Sequence, residues 1–376
     1  MREETAMAIT YTPPTVHPQL IPTNLGARSF AAPPVALQQH IVPNELFFVR
    51  NHWQGHPALD LAIYRLTVEG AVERPLQLSF QDIVQMPRQR LQVTFECCGN
   101  GPVPSYWDKQ IRLNNVEKVT GHGIMGNAEW AGVSVASVLE RAGVTSAAKE
   151  VVFTGADHGP DEVAGVPQEV TYERALPLAK ALHPDTLLAY EMNGEPLPPL
   201  HGFPVRLLVP GWYGMTSIKW LVGIRVIDHV FKGFYQTDRY MVQNGPDAKE
   251  FYTYLTEMKV KSIITSPMPG EIVPAGRPYQ VAGAAWSGEQ DIVRVEVSTD
   301  GGTTWQEARL RPRIDYSWYR WECLWPSPAI GDHTLMSRAT NNRGETQPVE
   351  FPNAWDGRPY GNNMIFPHPV MVRAVS

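Results

Sequence analysis

At 376 residues the chain is too long for one ordinary domain, and 43% hydrophobic with 10% aromatic residues supplies enough apolar surface for two packed units. A formal charge of −6 argues against a general nucleic-acid or anionic-membrane binder, while a local basic pocket for a small anion stays open. Three cysteines do not make a disulfide framework and leave at least one thiol unpaired, which suits a reducing compartment or a metal site.

Met1 to Pro14 shows no apolar h-region and no twin arginine, and no apolar run is long enough to span a bilayer. The expectation is a cytoplasmic protein without membrane contact, or a periplasmic one if a signal has been removed. Residues 1–45 are proline-rich and aperiodic, and read as an extended arm over the surface. From Leu59 to about Val230, short strands mix with short helices. Ile63 to Glu69 alternates as a strand does. An extended apolar stretch then leads into Thr94-Phe95-Glu96-Cys97-Cys98-Gly99-Asn100-Gly101. A thiol at a strand end, followed by glycines that admit close backbone approach, is how a soft metal is presented. From this segment alone, two buried thiols acting as small hydrophobes is an equal alternative. Ser134 to Arg141 places Val135, Val138 and Leu139 on one helical face, with Gly143 where a C-terminal cap belongs. Val151 to Thr154 is a short buried run.

The character changes near Lys261, after which helical patterns vanish. Val293, Val295 and Val297 alternate with polar residues, Asp300-Gly301-Gly302 makes a turn, and Tyr319, Trp321, Cys323 and Trp325 alternate again. Thr334 to Thr340 and Pro369 to Val375 read as further strands. The pattern predicts an antiparallel β-sandwich of immunoglobulin-like type, with Cys323 pointing into its core.

Seven motifs stand in one order: Phe48-Val49-Arg50-Asn51-His52, Glu96-Cys97-Cys98-Gly99-Asn100, Trp130-Ala131-Gly132-Val133, Leu188 to Leu197, His201 to Arg206, Val209-Pro210-Gly211 and Ser217 to Leu221. Together they resemble the sulfite oxidase family of molybdopterin-dependent oxidoreductases, over nearly everything from Phe47 to the end. The resemblance implies an α+β fold, a mixed molybdopterin-binding core followed by a sandwich that serves dimerisation. It divides the chain into the arm (1–45), a catalytic domain (46–255) and a dimerisation domain (256–376). It places the metal-ligand thiolate at Cys97, for one molybdenum per chain. A soft donor stabilises an electron-poor metal through its oxidation states. Adjacent side chains on an extended strand point to opposite sides, so Cys98 is expected to be a buried neighbour. The implied cofactor anchors are Phe48, Val49, Arg50, Asn51, His52, Asp157, His201, Arg206, Ser217, Ile218 and Lys219. Arg206 and Lys219 offer charge for the pterin phosphate, His201 and Asn51 satisfy the pterin edge, and Asp157 accepts from its amine. Singly, His52 and His201 also read as ordinary hydrogen-bonded loop histidines.

Arg50 and Tyr240 match the family's catalytic arginine and tyrosine, the first to hold a small oxyanion and the second to support proton movement. Arg358 corresponds either to an arginine contributed by the C-terminal domain or to a solvated loop residue. Two departures bear on the substrate. Gly101-Pro102 stands where two arginines often follow the cysteine motif, and Thr120 where a tryptophan packs near the pocket. No haem attachment pattern occurs, so no haem is expected and electrons pass to or from a separate partner. The leading expectation is oxidation of sulfite to sulfate. Its alternatives are the same cofactor acting on a sulfane sulfur, an S-oxide, an N-oxide or nitrate, and a non-catalytic scaffold.

Overall fold

The computed structural model describes residues 11–12, 15–23, 28–101, 122–163, 165–243, 252–350 and 360–374. Pro102, Thr120 and Arg358 lie outside them. Two five-strand sheets build the first unit. One runs in the order Val166–Pro177, Glu150–Val163, Leu221–Ile227, Leu66–Gly70, Leu76–Leu78, and only its Leu221–Ile227/Leu66–Gly70 pair is parallel. The other runs Glu195–Pro196, Leu187–Met192, Met125–Ser134, Arg88–Glu96, with Arg206–Leu208 also paired to Leu187–Met192. Leu187–Met192 reads as an almost continuous apolar run because it is covered on both faces. Arg88–Glu96 starts in solvent at Arg88 and becomes buried from Val93 onward, which delivers Cys97 to the interior.

The helix forms at Val135–Ala142. Ser134 Oγ accepts from Ser137 N at 3.1 Å, Val135, Val138, Leu139 and Ala142 are buried, and Gly143 closes the helix at φ 72°. Two readings shift. The strand expected from Ile63 begins at Leu66, because Asp60 first closes a turn by accepting from Ala62, Ile63 and Tyr64 amides. The described part of the arm departs from the extended surface segment expected: it turns through a short helix at Pro34–Leu37, and its second half is core rather than surface. Ala31, Ala32, Ala36, Leu37 and Val42 are all at most 3% exposed. Their small or apolar side chains fill space that a solvated arm would leave to water.

Beyond residue 261 no helix occurs among the described residues. One sheet orders Lys261–Ser266, Tyr279–Trp286, Tyr319–Trp325, Arg309–Leu310, and the second Ile272–Pro274, His368–Arg373, Gly331–Asn341, Ile292–Ser298, Gln306–Glu307. Val281, Trp321 and Cys323 from the first sheet pack with Val295, Leu335 and Val372 from the second, which makes a sandwich. The edge pair Ile272–Pro274/His368–Arg373 is parallel, a departure from the all-antiparallel expectation. Val293 is exposed while Ile292 is buried, because a register shift between Ile292 and Arg294 breaks the alternation there. Met258, Ile263, Ala284, Trp286 and Trp318 belong to the core of the first unit, so the two units are packed through a shared apolar mass.

Candidate active site

A cleft opens where the ends of these elements converge. The strand Ser29–Ala31 pairs with Val49–Arg50, which sets Arg50 and Asn51 at its rim. Asn51 N donates to Arg28 O at 2.8 Å and Asn51 Nδ2 to Gly55 O at 3.1 Å, so backbone and side chain are both held. Lys219 Nζ donates to Asn51 Oδ1, to Leu200 O at 3.0 Å and to Arg50 O at 3.2 Å. Phe48 also lines the cleft. Val49 does not: its side chain packs with Leu20, Phe30 and Leu200.

Cys97 follows the strand end and reaches the cleft, whereas Cys98 is 1% exposed and joins the core. The turn from Cys97 to Asn100 is fixed by Cys97 N donating to Ile124 O at 3.0 Å and Asn100 N donating to Cys97 O at 2.9 Å. A hydrogen bond from the Cys98 thiol holds the Cys97 thiol down at about 7 against the opposing effect of burial, with the Arg50 guanidinium helping. Burial pushes Cys98 up. All three cysteines are free thiols.

His52 Nε2 and Tyr240 Oη lie 2.8 Å apart, and the His52 ring stacks on Tyr172 at 4.4 Å between centroids. Burial, then the nearby Arg50 and Lys219 charges, keeps His52 far below its ordinary range, so it is a neutral imidazole. Tyr240 is pushed up by burial and keeps its proton.

Deeper in, Pro199–His201 is one short turn closed by Gly202 at φ 112°, where a Cβ would approach Arg206 and Lys219 to 3.1 Å. Arg206 Nη1 and Nη2 donate to His201 O and Ser217 O, both at 2.9 Å, while its Nε has no partner. The guanidinium lies over Phe95 and Trp130 at 4.8 and 5.0 Å. Burial lowers Arg206 to about 9, and burial with the Lys219 and Arg206 charges lowers His201 to about 3. Ser217 and Ile218 complete this end. Asp157 enters from a register shift between Thr154 and His158, which turns its carboxylate inward. Burial raises it to about 7 despite Lys219, and its Oδ1 is without a partner.

Arg174, Tyr172, Phe47, Phe95, Leu200 and Met215 were not among the expected site residues. The five apart from Arg174 line the cleft. Arg174 stands behind it, 1% exposed, with Nη1 on Tyr235 O and Nη2 on Leu255 O at 3.2 Å and its guanidinium 5.6 Å from the Tyr240 ring centre. Tyr172 and Arg174 share a strand face, and an arginine two residues from a tyrosine on a buried strand is the one signal that would have found them.

Among the described residues, Arg50, Arg174, Arg206 and Lys219 are in no ion pair, and Asp157 is the only carboxylate lining the cleft. Unpaired buried cations are costly without an anion to meet them. The orphaned Arg206 Nε and Asp157 Oδ1 leave one donor and one acceptor that suit a ligand able both to accept and to donate. No three His, Cys, Asp or Glu side chains converge on a metal site among the described residues, so the protein offers one thiol to the cleft. A phosphate-bearing pterin that brings its own sulfurs to a metal fits this donor set.

Comparison with known proteins gives the same picture. The family model described as the oxidoreductase molybdopterin binding domain matches residues 53–235, and the one for the Mo-co oxidoreductase dimerisation domain matches 252–373. Mitochondrial sulfite oxidase of Homo sapiens is 34% identical over 92% of this chain, which spans 64% of that relative's length. Sulfite oxidase of Arabidopsis thaliana is 33% identical, with 92% of each chain covered. The crystal structure of the sulfane dehydrogenase SoxCD from Paracoccus pantotrophus superposes with TM-score 0.76 at 29% identity, covering 99% of this chain and 92% of the other. The chain belongs to the sulfite oxidase family of molybdopterin-dependent oxidoreductases.

Proposed function

We propose that the protein oxidises sulfite to sulfate, with residues 46–255 as the catalytic unit and 256–376 as the homodimer-forming unit. The observation that carries this reading is the meeting of the Cys97 thiol and the unpaired Arg50 guanidinium in one cleft over a cationic cradle. When bound, molybdenum held by molybdopterin supplies oxygen-atom transfer and accepts the two electrons. Cys97 gives it a protein thiolate. Arg206 and Lys219 hold the phosphate, while Asn51, Asp157 and His201 hold the pterin edges. Arg50 orients the oxyanion. Tyr240 Oη, hydrogen-bonded to neutral His52, holds a proton at the reacting face and has a base beside it. Water provides the oxygen overall, and two protons and two electrons leave, the electrons to a separate acceptor.

The test measures molybdenum per chain and sulfite-dependent reduction of ferricyanide. One metal per chain with rapid turnover is expected. A second reading, oxidation of a sulfane sulfur, is favoured by the full-length likeness to SoxCD and by Gly101-Pro102 in place of arginines. Full metal content with negligible sulfite turnover, but turnover of a small persulfide, would replace the first reading with the second.

A further inference from the structure

Glu96, the residue before Cys97, is wholly buried, and both of its carboxylate oxygens accept hydrogen bonds. Lys261 Nζ and Asn100 Nδ2 donate to Oε1, the latter at 3.0 Å, and Trp286 Nε1 donates to Oε2 at 2.9 Å. Lys261 Nζ also donates to Asn100 O at 3.0 Å. Asn100 in turn accepts from Ile124 N at 3.1 Å, and Ile124 O holds the Cys97 amide. Lys261 and Trp286 are cross-strand partners on the first sheet of the sandwich. Both ends of the Cys97 turn are therefore bonded to the C-terminal unit.

The Lys261 and Glu96 side chains are 2% and 0% exposed. A buried ion pair of this kind contributes little net stability, because desolvation offsets its attraction, and well-packed apolar residues would serve as well. Its placement against a metal-facing residue suits a registry role. We propose that Glu96, Lys261 and Trp286 form a positioning clamp that sets the Cys97 thiol in the cleft, so that the sandwich takes part in metal binding as well as in dimerisation. The proposal rests on the reading of Cys97 as the metal ligand.

The test uses full-length protein in two forms. In metal-free protein, the alkylation rate of Cys97 is followed by peptide mass spectrometry. In holoprotein, metal content and the visible absorption of the molybdenum-bound thiolate are recorded. Lys261→Met and Glu96→Gln should each raise Cys97 alkylation by about tenfold or more and lower metal retention by about 10- to 100-fold, as supporting-shell changes do. If Lys261→Met does not fold, Trp286→Phe removes one donor and is read in the same way. Folded single variants with wild-type alkylation and wild-type absorption overturn the clamp. Cys97→Ser separates the two ideas. It should abolish the thiolate absorption, and retention of that band would overturn the ligand assignment, and with it the metal-binding role of the clamp, whatever the alkylation results.

Discussion

Arg50 reaches the cleft with no carboxylate to neutralise it, so its removal should be felt by the substrate before the metal. Arg50→Gln is expected to raise KM for sulfite by roughly 10- to 150-fold, the equivalent of about 1.5–3 kcal/mol for a charge-assisted hydrogen bond, with molybdenum content unchanged. Equal loss of metal would count against the assignment. Tyr240→Phe leaves His52 without its hydroxyl partner and should lower kcat about 100-fold with little change in KM, measured in steady-state sulfite turnover. His201 sets a pH window for the cofactor-free protein. Its pKa is about 3 in the fold and about 6.5 in the unfolded chain, so between these the unfolded state binds more protons. Its contribution is fully present above about pH 6.5 and falls by about 1.4 kcal/mol per pH unit on acidification towards 3. His201→Gln should therefore flatten the decline of Tm between pH 7 and 5, even if it lowers Tm throughout. At this scale, Arg50 and Cys97 were legible because their motifs are contiguous. Arg174 was not, because its place beside Tyr240 depends on a strand and a loop 66 positions apart in the chain.

Elements were legible where the deciding interactions are local. The Val135–Ala142 helix announces itself by Ser134 and Gly143, which act within one turn of their own residues. Gly143→Ala should cost about 1–2 kcal/mol, because an L-residue at φ 72° is strained and its Cβ would press on Glu73 and Arg74, and a lowered urea midpoint at unchanged m would show it. Bulges were illegible for the opposite reason. The shifts at Thr154–His158 and Ile292–Arg294 are set by the register of partner strands far away in sequence. One of them aims Asp157, a residue that the family resemblance pointed to while only the sheet could orient it. The buried second half of the arm was missed because prolines and alanines carry no period, although alanines at near-zero exposure are what close packing there requires.

At the scale of the whole molecule the two units share apolar contacts and polar ties. Trp318 Nε1 donates to His40 O at 3.1 Å, and Arg320 donates to Leu37 O and Gln38 O at 3.0 and 3.1 Å. Trp286 and Trp318 complete the core of the first unit from the sandwich side, while the sandwich also keeps an interior of its own. Calorimetry should show one cooperative transition rather than two, and two well-separated peaks would contradict this packing. The division of the chain into two chemical characters was legible from periodicity near Lys261. Their interpenetration was not, because alternation tells which residues are buried and is silent on what they are buried against.

The cradle of unpaired cations has a consequence for the life of the protein in a cell. Arg50, Arg206 and Lys219 share one cleft, and burial pushes Arg206 and Lys219 down, so an anion that joins them should stabilise their charged forms and link cofactor insertion to completion of the fold. A chain short of cofactor should open more often around Lys219 and Arg206 and be cut there first by proteases, while the loaded chain persists. Abundance of the protein would then follow supply of its cofactor with no dedicated regulator, the polypeptide acting as its own inspector.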